Sequence, residues 1–491
     1  MTLWIDIDDL LTYLAHHSRP SGIQRVVYEI SGALHHLGGG TVRFVRRGEN
    51  WRDLRVVDWS FAQALFDRMT FTPVDRKSPE RAPAAQTPDE PETEASGLSS
   101  QLPAFVVPAS DSTVSNDSLL GELLQIQKGT LKQALSVPGG FVRVTERHVS
   151  TSLKRSRDIW QTKRDQRKEQ AAQKKAQQTR IVLPPGAPLT EAAGPGDIFL
   201  TLGAPWHHAD YATMVRWIRD VLRMSYGLLM YDLVPIRHPE WCTRDMIQDY
   251  TDWHQAILPL ADRIFAISQA TARDVESYLK EQGIDTPVQA IPLGTGFGLA
   301  ETATASEALV DEPYALFVST IEARKNHALL FRVWRQLLED MPAEQVPTLV
   351  FAGREGWLVS DLMQQLENSR WLNGKIRFIQ NLTDGELRRL YADCSFTLFP
   401  SFFEGWGLPV TESLSMGRPC IASNTTSIPE AGGSLGRYFN PCSLKEAYTV
   451  IRQTIEDPEG LTAWTQQVRT EFKPRPWTES AKTILATLET L

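Results

Sequence analysis

Cysteine is scarce in this sequence: four in 491 residues, at positions 242, 394, 420 and 442. They stand singly, without the paired spacing of a zinc site or the density of a disulfide framework. That excludes a small disulfide-stapled secreted fold and fits a reducing compartment. Long apolar runs are also missing. No uninterrupted stretch reaches the roughly 18–20 residues that a membrane-spanning helix needs. Excess positive charge is missing too. The formal net charge is -8, from 51 basic and 59 acidic residues, which argues against a general nucleic-acid binder. The first residues, MTLWIDIDDLLTYL, carry acidic side chains where a secretory signal would carry basic ones. Together these absences point to a cytoplasmic protein, with peripheral contact at the inner face of the plasma membrane left open.

What is present is the composition of a globular protein, 42% hydrophobic and 22% charged, in a chain long enough for two or three domains. Residues 3–8, LWIDID, alternate and predict a first strand. A polar stretch follows, containing Arg19-Pro20-Ser21-Gly22, and then an amphipathic pattern, IQRVVYEISGALHHLG, that ends at Gly38. Strand, glycine-containing loop and helix open a doubly wound α/β unit. Thr41–Val45 reads as the next strand. Residues 76–100, rich in Pro, Glu and Ala and without aromatics, read as a disordered insertion. Residues 154–180 carry ten basic and three acidic side chains among good helix formers. A solvated basic helix and a patch for an anionic membrane or phosphate-bearing acceptor both fit that composition.

Regular alternation resumes at Asp197. IFLTLG, YGLLMYDL and RIFAIS predict strands with helices between them, and VQAIPLGTGF a further strand and loop. After a polar link a second series begins at PYALFVST. Its helices are predicted at His327–Leu338, Ser360–Asn368, Asp384–Cys394 and Leu408–Met416, and its strands at TLVFAG, KIRFIQN, FTLFPS and PCIASN. Strand–helix alternation implies a parallel sheet covered on both faces. The chain thus reads as two doubly wound Rossmann-like domains, at residues 1–295 and 296–475, with a cleft between them and a terminal helix at 476–491.

The chemistry concentrates in FPSFFEGWGLPVTESLSMG, residues 399–417. A strand runs into a glycine-bearing loop, and Leu408-Pro409 open a helix. Proline suits a first helical turn, where its missing N–H would be unpaired anyway. The free N–H groups and positive end of such a helix attract anions, and ligands of open α/β sheets bind at this edge. Gly405 and Gly407 would let the backbone approach a ligand. Glu404 precedes the helix and Glu412 lies one turn inside it, so the two carboxylates would face different parts of one elongated ligand. Arg324-Lys325 follow the strand PYALFVST at the same edge, where a cation would neutralise a departing diphosphate. Alone, that basic pair reads first as surface charge at a helix start; beside Glu404 and Glu412 the ligand-binding reading prevails. Phe402, Phe403 and Trp406 either stack on a sugar or fill the space between domains. Glu430, in IPEAGG, reads as fixing a turn. The paired histidines His16-His17 and His35-His36 lack the neighbours of a metal site.

Glu404 through Glu412 resembles the E-x7-E motif of retaining glycosyltransferases with the two-domain GT-B fold, the family-4 group, in its mannosyltransferase-like branch. FVSTIEARKNH, FAGREGW, SIPEAGG, SGIQRVVYEI, MYDLVPIRHPEW and ADRIFAISQATARDV extend the resemblance over most of the chain. It implies a nucleotide-sugar donor as co-substrate, a glycan or lipid-linked glycan acceptor, retention at the anomeric carbon, and no metal or other cofactor. It also implies roles. Glu412 would hold the ribose and Glu404 the transferred hexose, with the backbone at Gly405, Trp406, Gly407 and Leu408 around sugar and phosphate. Lys325 would bind diphosphate. Thr320 stands nearest the place of a second family cation, which Arg324 would then supply. Ser21, Gly22 and Arg25 match the N-terminal loop near phosphates and acceptor, and Leu382-Thr383 the place of the base. The family often has His-Asp where this chain has Tyr231-Asp232. Tyr231 cannot do imidazole chemistry at neutral pH, so His238 is the candidate substitute and Asp232 either a cleft residue or a turn cap. His207 is a candidate on the acceptor side. A GDP-linked mannose is the expected donor and polysaccharide or lipopolysaccharide assembly the expected process. A nucleotide-sugar epimerase or phosphorylase of the same fold, or a catalytically silent binding protein, remains an alternative. The ending RPWTESAKTILATLETL looks like the family's terminal helix crossing back to the first domain.

Overall fold

The computed structural model describes residues 1–17, 20–71, 186–295 and 308–491. The expectations for 76–100 and 154–180 lie outside these residues. Two sheets organise the described chain, and both belong to one compact unit, residues 1–75 and 181–491.

The first sheet comprises β1 (Leu3–Asp6), β2 (Val42–Arg47), β3 (Leu54–Val57), β4 (Ile198–Thr201), β5 (Ser225–Met230), β6 (Arg263–Ala266) and β7 (Val288–Ala290). Their order across the sheet is β3-β2-β1-β4-β5-β6-β7. All pairs are parallel except β2 with β3, and the register sets Leu3 beside both Val42 and Ile198. All four residues of β1 and of β4 are buried, as expected of parallel strands covered by helices on both faces.

The second sheet is parallel throughout. It comprises β8 (Tyr314–Val318), β9 (Thr348–Ala352), β10 (Ile376–Ile379), β11 (Phe396–Phe399), β12 (Cys420–Ser423) and β13 (Arg437–Phe439). Its order is β10-β9-β8-β11-β12-β13. In each sheet the chain reverses its direction of travel once, at β1/β4 and at β8/β11. Such a switch point opens a crevice at the carboxyl ends of the strands. The helix Gly22–Gly38 follows β1, the basic pair 324–325 follows β8, and the E-x7-E loop follows β11. The sequence motifs therefore all gather at the two switch points. This arrangement, two doubly wound sheets with the motifs between them, is the GT-B architecture.

The last helix, Trp477–Leu488, packs against the helix Gly22–Gly38 of the first half. Its Ser480 hydroxyl donates to the Pro292 carbonyl. The linkers are tied together as well: Thr295 N donates to Arg475 O at 2.8 Å, and Arg475 N to Thr295 Oγ1 at 2.9 Å.

Two local expectations need correction. The stretch after the first strand, read as polar loop, is a helix over Asp8–His16. Leu10, Leu11 and Leu14 bury its inner face, and Asp8 and Asp9 suit its positive end. The first strand accordingly stops at Asp6. The edge strands β3 and β13, three or four residues long, carry no alternation long enough to predict.

Candidate active site

The loop after β11 is held by its backbone. Gly407 takes φ +116°, which a side chain would strain, and Pro409 sits in the first turn of the helix Leu408–Ser415. Asn326 pins the loop from the other side. This buried residue, itself left-handed at φ 61°, donates its amide to Pro400 O at 3.1 Å and Pro441 O at 3.0 Å. Phe402 N donates to Arg324 O at 3.0 Å. The turn Ala323–Lys325 is thereby fixed beneath Glu404.

The Glu404 carboxylate accepts from Lys325 Nζ at 2.6 Å and pairs with Arg324 Nη1 at 2.8 Å. Arg324 also pairs with Glu322 at 2.8 Å and donates to Phe403 O at 2.6 Å. Burial alone would raise the Glu404 carboxyl. Arg324 and Lys325 outweigh it and bring it down to about 2. Arg324 moves the other way: burial disfavours its charge, but Glu404, Glu322 and Asp232 more than compensate. Asp232 joins this group from the first half. Burial raises its carboxyl while Arg324 pulls it back, and its Oδ1 accepts from Val234 N at 3.0 Å, capping a helical turn. Catalytic candidates Glu404, Lys325, Arg324 and Asp232 thus form one electrostatic cluster across the cleft.

Glu412 sits in a second cluster. Tyr391 donates its hydroxyl to Glu412 Oε2 at 2.8 Å. Burial raises the Glu412 carboxyl, and Arg25 opposes that rise. Arg25 projects from the first half's Gly22–Gly38 helix to the start of the helix Asp384–Asp393, where its Nη2 meets Asp384 at 2.9 and 3.1 Å. Thr383 caps that helix reciprocally with Glu386, using both backbone and hydroxyl. Leu382 is partly buried beside it. A Cβ at Gly22 would lie 3.7 Å from Leu408 Cδ1, so the starts of two helices, one from each half, face each other. Ser21 is bonded to Gln24 beside that point. The site thus presents two facing helix N-termini, with two cations in the Glu404 cluster and Arg25 in the Glu412 cluster.

Other candidate residues lie elsewhere or act differently. Gly405 does approach something closely, but it is protein. A Cβ there would lie 1.9 Å from the Tyr231 carbonyl oxygen. The glycine lets the two halves touch. Tyr231 is buried, and its hydroxyl donates to Leu202 O at 2.7 Å; its ring belongs to the core and not to the cleft. Trp406 is buried and lines a cavity of about 330 Å³ with Ser268, Ile291, Glu430 and Arg475. Phe402 stacks on Trp241 at 5.4 Å, and Phe403 lies 5.0 Å from His238, so both aromatics fill the junction between halves. His238 itself stacks on Trp241 and has Glu240 3.1 Å from its Nδ1. His207 is largely exposed, 3.7 Å from Asp249. Thr320 places its Cγ2 against Gly356. Glu430 does more than fix a turn: its carboxylate accepts from Gln269 N at 2.8 Å and Ala270 N at 2.7 Å in the other half.

Three residues of the site were not singled out in the sequence reading: Glu322, Asn326 and Tyr391. Asn326 adjoins the basic pair and was within reach of a motif reading. Tyr391 looks like one more apolar position of an amphipathic helix. Among the described residues, no group of three or more His, Cys, Asp or Glu is arranged to hold a metal ion, and no helix is long and apolar enough to cross a membrane.

Comparisons with known proteins bear on the second half above all. Residues 301–471 match the family Glycosyl transferases group 1. The serotype-specific mannosyltransferase WbdA of Escherichia coli is 27% identical over 275 residues, 53% of this chain and 33% of that protein. The O-antigen chain mannosyltransferase B of Escherichia coli is 34% identical over 164 residues, 33% of this chain and 42% of that protein. The match thus spans well under half the length of these curated relatives. Among solved structures, Anabaena Alr3699/HepE in complex with UDP and glucose is 16% identical with a TM-score of 0.48, covering 60% of this chain and 78% of that one. The matched stretch, residues 301–471, carries the basic pair and both E-x7-E carboxylates, so the resemblance to glycosyl transferases group 1 falls on the candidate site.

Proposed function

We propose that the protein is a retaining hexosyltransferase. It moves a hexose from a nucleoside-diphosphate-sugar to a hydroxyl of a glycan or lipid-linked glycan in polysaccharide or lipopolysaccharide assembly. GDP-mannose is the donor this reading favours, because the curated relatives named above are mannosyltransferases. The observation that carries the reading is that Arg324 and Lys325 sit on the Glu404 carboxylate, while the Leu408 helix start, facing the helix start at Gly22, separates Glu404 from Glu412 along the chain. That layout matches hydroxyls, phosphates and hydroxyls in sequence along one ligand.

In this reading Glu412 accepts from the ribose hydroxyls, with Tyr391 and Arg25 fixing its carboxylate. Glu404 accepts from a hydroxyl of the hexose. Arg324, Lys325 and the two helix starts stabilise charge as the diphosphate departs, a preorganised electrostatic role that needs no metal or other cofactor. Attack by the acceptor hydroxyl forms the new glycosidic bond on the face the diphosphate leaves. The bond from the anomeric carbon to the phosphate oxygen breaks, and that oxygen takes the acceptor proton. Closure of the halves keeps water out, since hydrolysis competes with transfer. The site of action is the cytoplasmic face of the membrane where such acceptors are assembled.

A thermal-shift panel of UDP, GDP, ADP and their sugars tests this. A ligand that binds only the folded protein stabilises it by about 2.7 kcal/mol at a hundredfold excess over Kd. GDP and GDP-mannose are expected to raise the melting temperature most. If no nucleotide raises it at millimolar concentration, the transferase reading fails.

A further inference from the structure

The segment 426–430 lies between the two halves and touches both. Toward the site, Thr426 Oγ1 accepts from Glu404 N at 3.1 Å, and Ser427 Oγ lies 2.8 Å from Glu404 O and 2.9 Å from Trp406 O. Away from it, Glu430 accepts from Gln269 N at 2.8 Å and Ala270 N at 2.7 Å. Those are the first two N–H groups of the helix Gln269–Gln282, which belongs to the first half. They have no partner within their own helix, and the helix end is positive, so a carboxylate is the best partner they can find. The same helix start touches the loop a second time: Thr271 Oγ1 lies 3.2 Å from both Tyr231 O and Gly405 O. Tyr231 adjoins Asp232, and Gly405 adjoins Glu404. One helix start therefore fixes the two backbone segments that carry the facing carboxylates.

We propose that Glu430 is a positioning residue for transfer. By docking on the start of the Gln269–Gln282 helix it holds the halves in the closed arrangement and sets the Glu404 loop against the Asp232 loop. The inference rests on the transferase reading for its chemistry, but the docking itself is independent of it. Its carboxylate bonds to Gln269 N and Ala270 N and not to Glu404, Arg324, Lys325 or Asp232, so its effect on the reaction passes through geometry. A separate reason favours a carboxylate here. The pair of short bonds to adjacent N–H groups is bidentate, which fixes direction as well as distance.

The test compares wild type with Glu430→Gln and Glu430→Ala. Gln keeps the shape and one acceptor oxygen but loses the charge; Ala loses all three. Small-angle scattering of the ligand-free proteins is expected to show a larger radius of gyration in the order Ala, Gln, wild type. Turnover of GDP-mannose, read as GDP release with tagged mannobiose present, is expected to fall in kcat by about 10-fold for Gln and about 100-fold for Ala. KM for the donor should move by no more than about threefold, and partial recovery in Gln separates a graded docking role from simple misfolding. An unchanged scattering profile in Glu430→Ala would overturn the proposal, as would an unchanged kcat. Failure of the transferase reading shows differently: wild type itself would neither bind GDP nor turn over GDP-mannose, while the scattering comparison would still decide whether Glu430 closes the halves.

Discussion

Replacing Glu404 with Gln removes one charge from the centre of the site and should be read first in stability. The carboxylate is 8% exposed and meets two cations at 2.6 and 2.8 Å. Its fall from an ordinary 4.5 to about 2 corresponds to about 3 kcal/mol of folding stability, at ~1.36 kcal/mol for each tenfold change in the ionisation constant. An independent route gives a similar figure. Breaking a buried ion pair costs about 3–5 kcal/mol. The lower end applies here because Arg324 keeps Glu322 at 2.8 Å and the Phe403 carbonyl at 2.6 Å. The sign in pH follows from the depressed value. The contribution is fully present above about 4.5 and is lost as pH falls toward 2. Urea unfolding of both proteins between pH 7 and pH 3 measures this. Wild type should exceed Glu404→Gln by about 3 kcal/mol at pH 7, and the gap should narrow steadily below pH 4.5. A gap that stays constant across this range would refute the electrostatic account, because the ionised carboxylate would then not be the source.

Two further perturbations probe the junction and the first sheet. Gly405→Ala places a Cβ 1.9 Å from the Tyr231 carbonyl oxygen, so the halves must separate; kcat should drop by at least about 10-fold while GDP binding, measured by calorimetry, changes far less. Comparable losses in both would show that Gly405 serves the nucleotide instead. Asp6, buried at the end of β1 beside Asp8, accepts from the Tyr211 hydroxyl at 2.6 Å, and burial pushes its carboxyl up from 3.8 to about 6. Folding favours the protonated form, so wild type should lose about 2–3 kcal/mol as pH rises from 4 to 6, and Asp6→Asn should lack that slope. Parallel stability curves for the two proteins would count against it.

The second half, β13 apart, was legible in sequence because each of its other strands is a short, largely apolar run closed within two residues by Gly, Pro, Asn or Ser. The helix Ser360–Asn368 falls at the expected residues, and the helix expected at Asp384–Cys394 ends one residue sooner. The helix Asp8–His16 was lost because two aspartates and two histidines flank its apolar face, and that face, Leu10, Leu11 and Leu14, covers little more than one turn. Within the site the distinction is one of range. Arg324, Lys325 and Glu404 stand out because each lies in the loop after a strand, where an open α/β sheet binds its ligand. Partners set by tertiary closure left no local trace. Arg25 and Asp384 are 359 positions apart, Glu430 and Ala270 160, and even Tyr391 and Glu412 21. No periodicity or capping rule spans such distances.

The motif glycine shows how the two kinds of information combine. Read alone, Gly405 is space for a ligand; in the fold that space is taken by the Tyr231 carbonyl, and Glu404 is delivered to the cleft by the contact. This limits what Glu404 can do. A carboxyl held at about 2 is ionised throughout the neutral range and has no proton to give. It is also a poor base, since two cations already share its lone pairs. Asp232, raised by burial, is the more basic carboxylate of the pair, yet one of its oxygens caps the turn at Val234. In the proposed transfer Glu404 would thus accept from a sugar hydroxyl and orient Arg324 and Lys325. In that transfer the acceptor proton would go elsewhere, and the departing phosphate oxygen, where negative charge would develop beside those two cations, is the base this arrangement leaves for it.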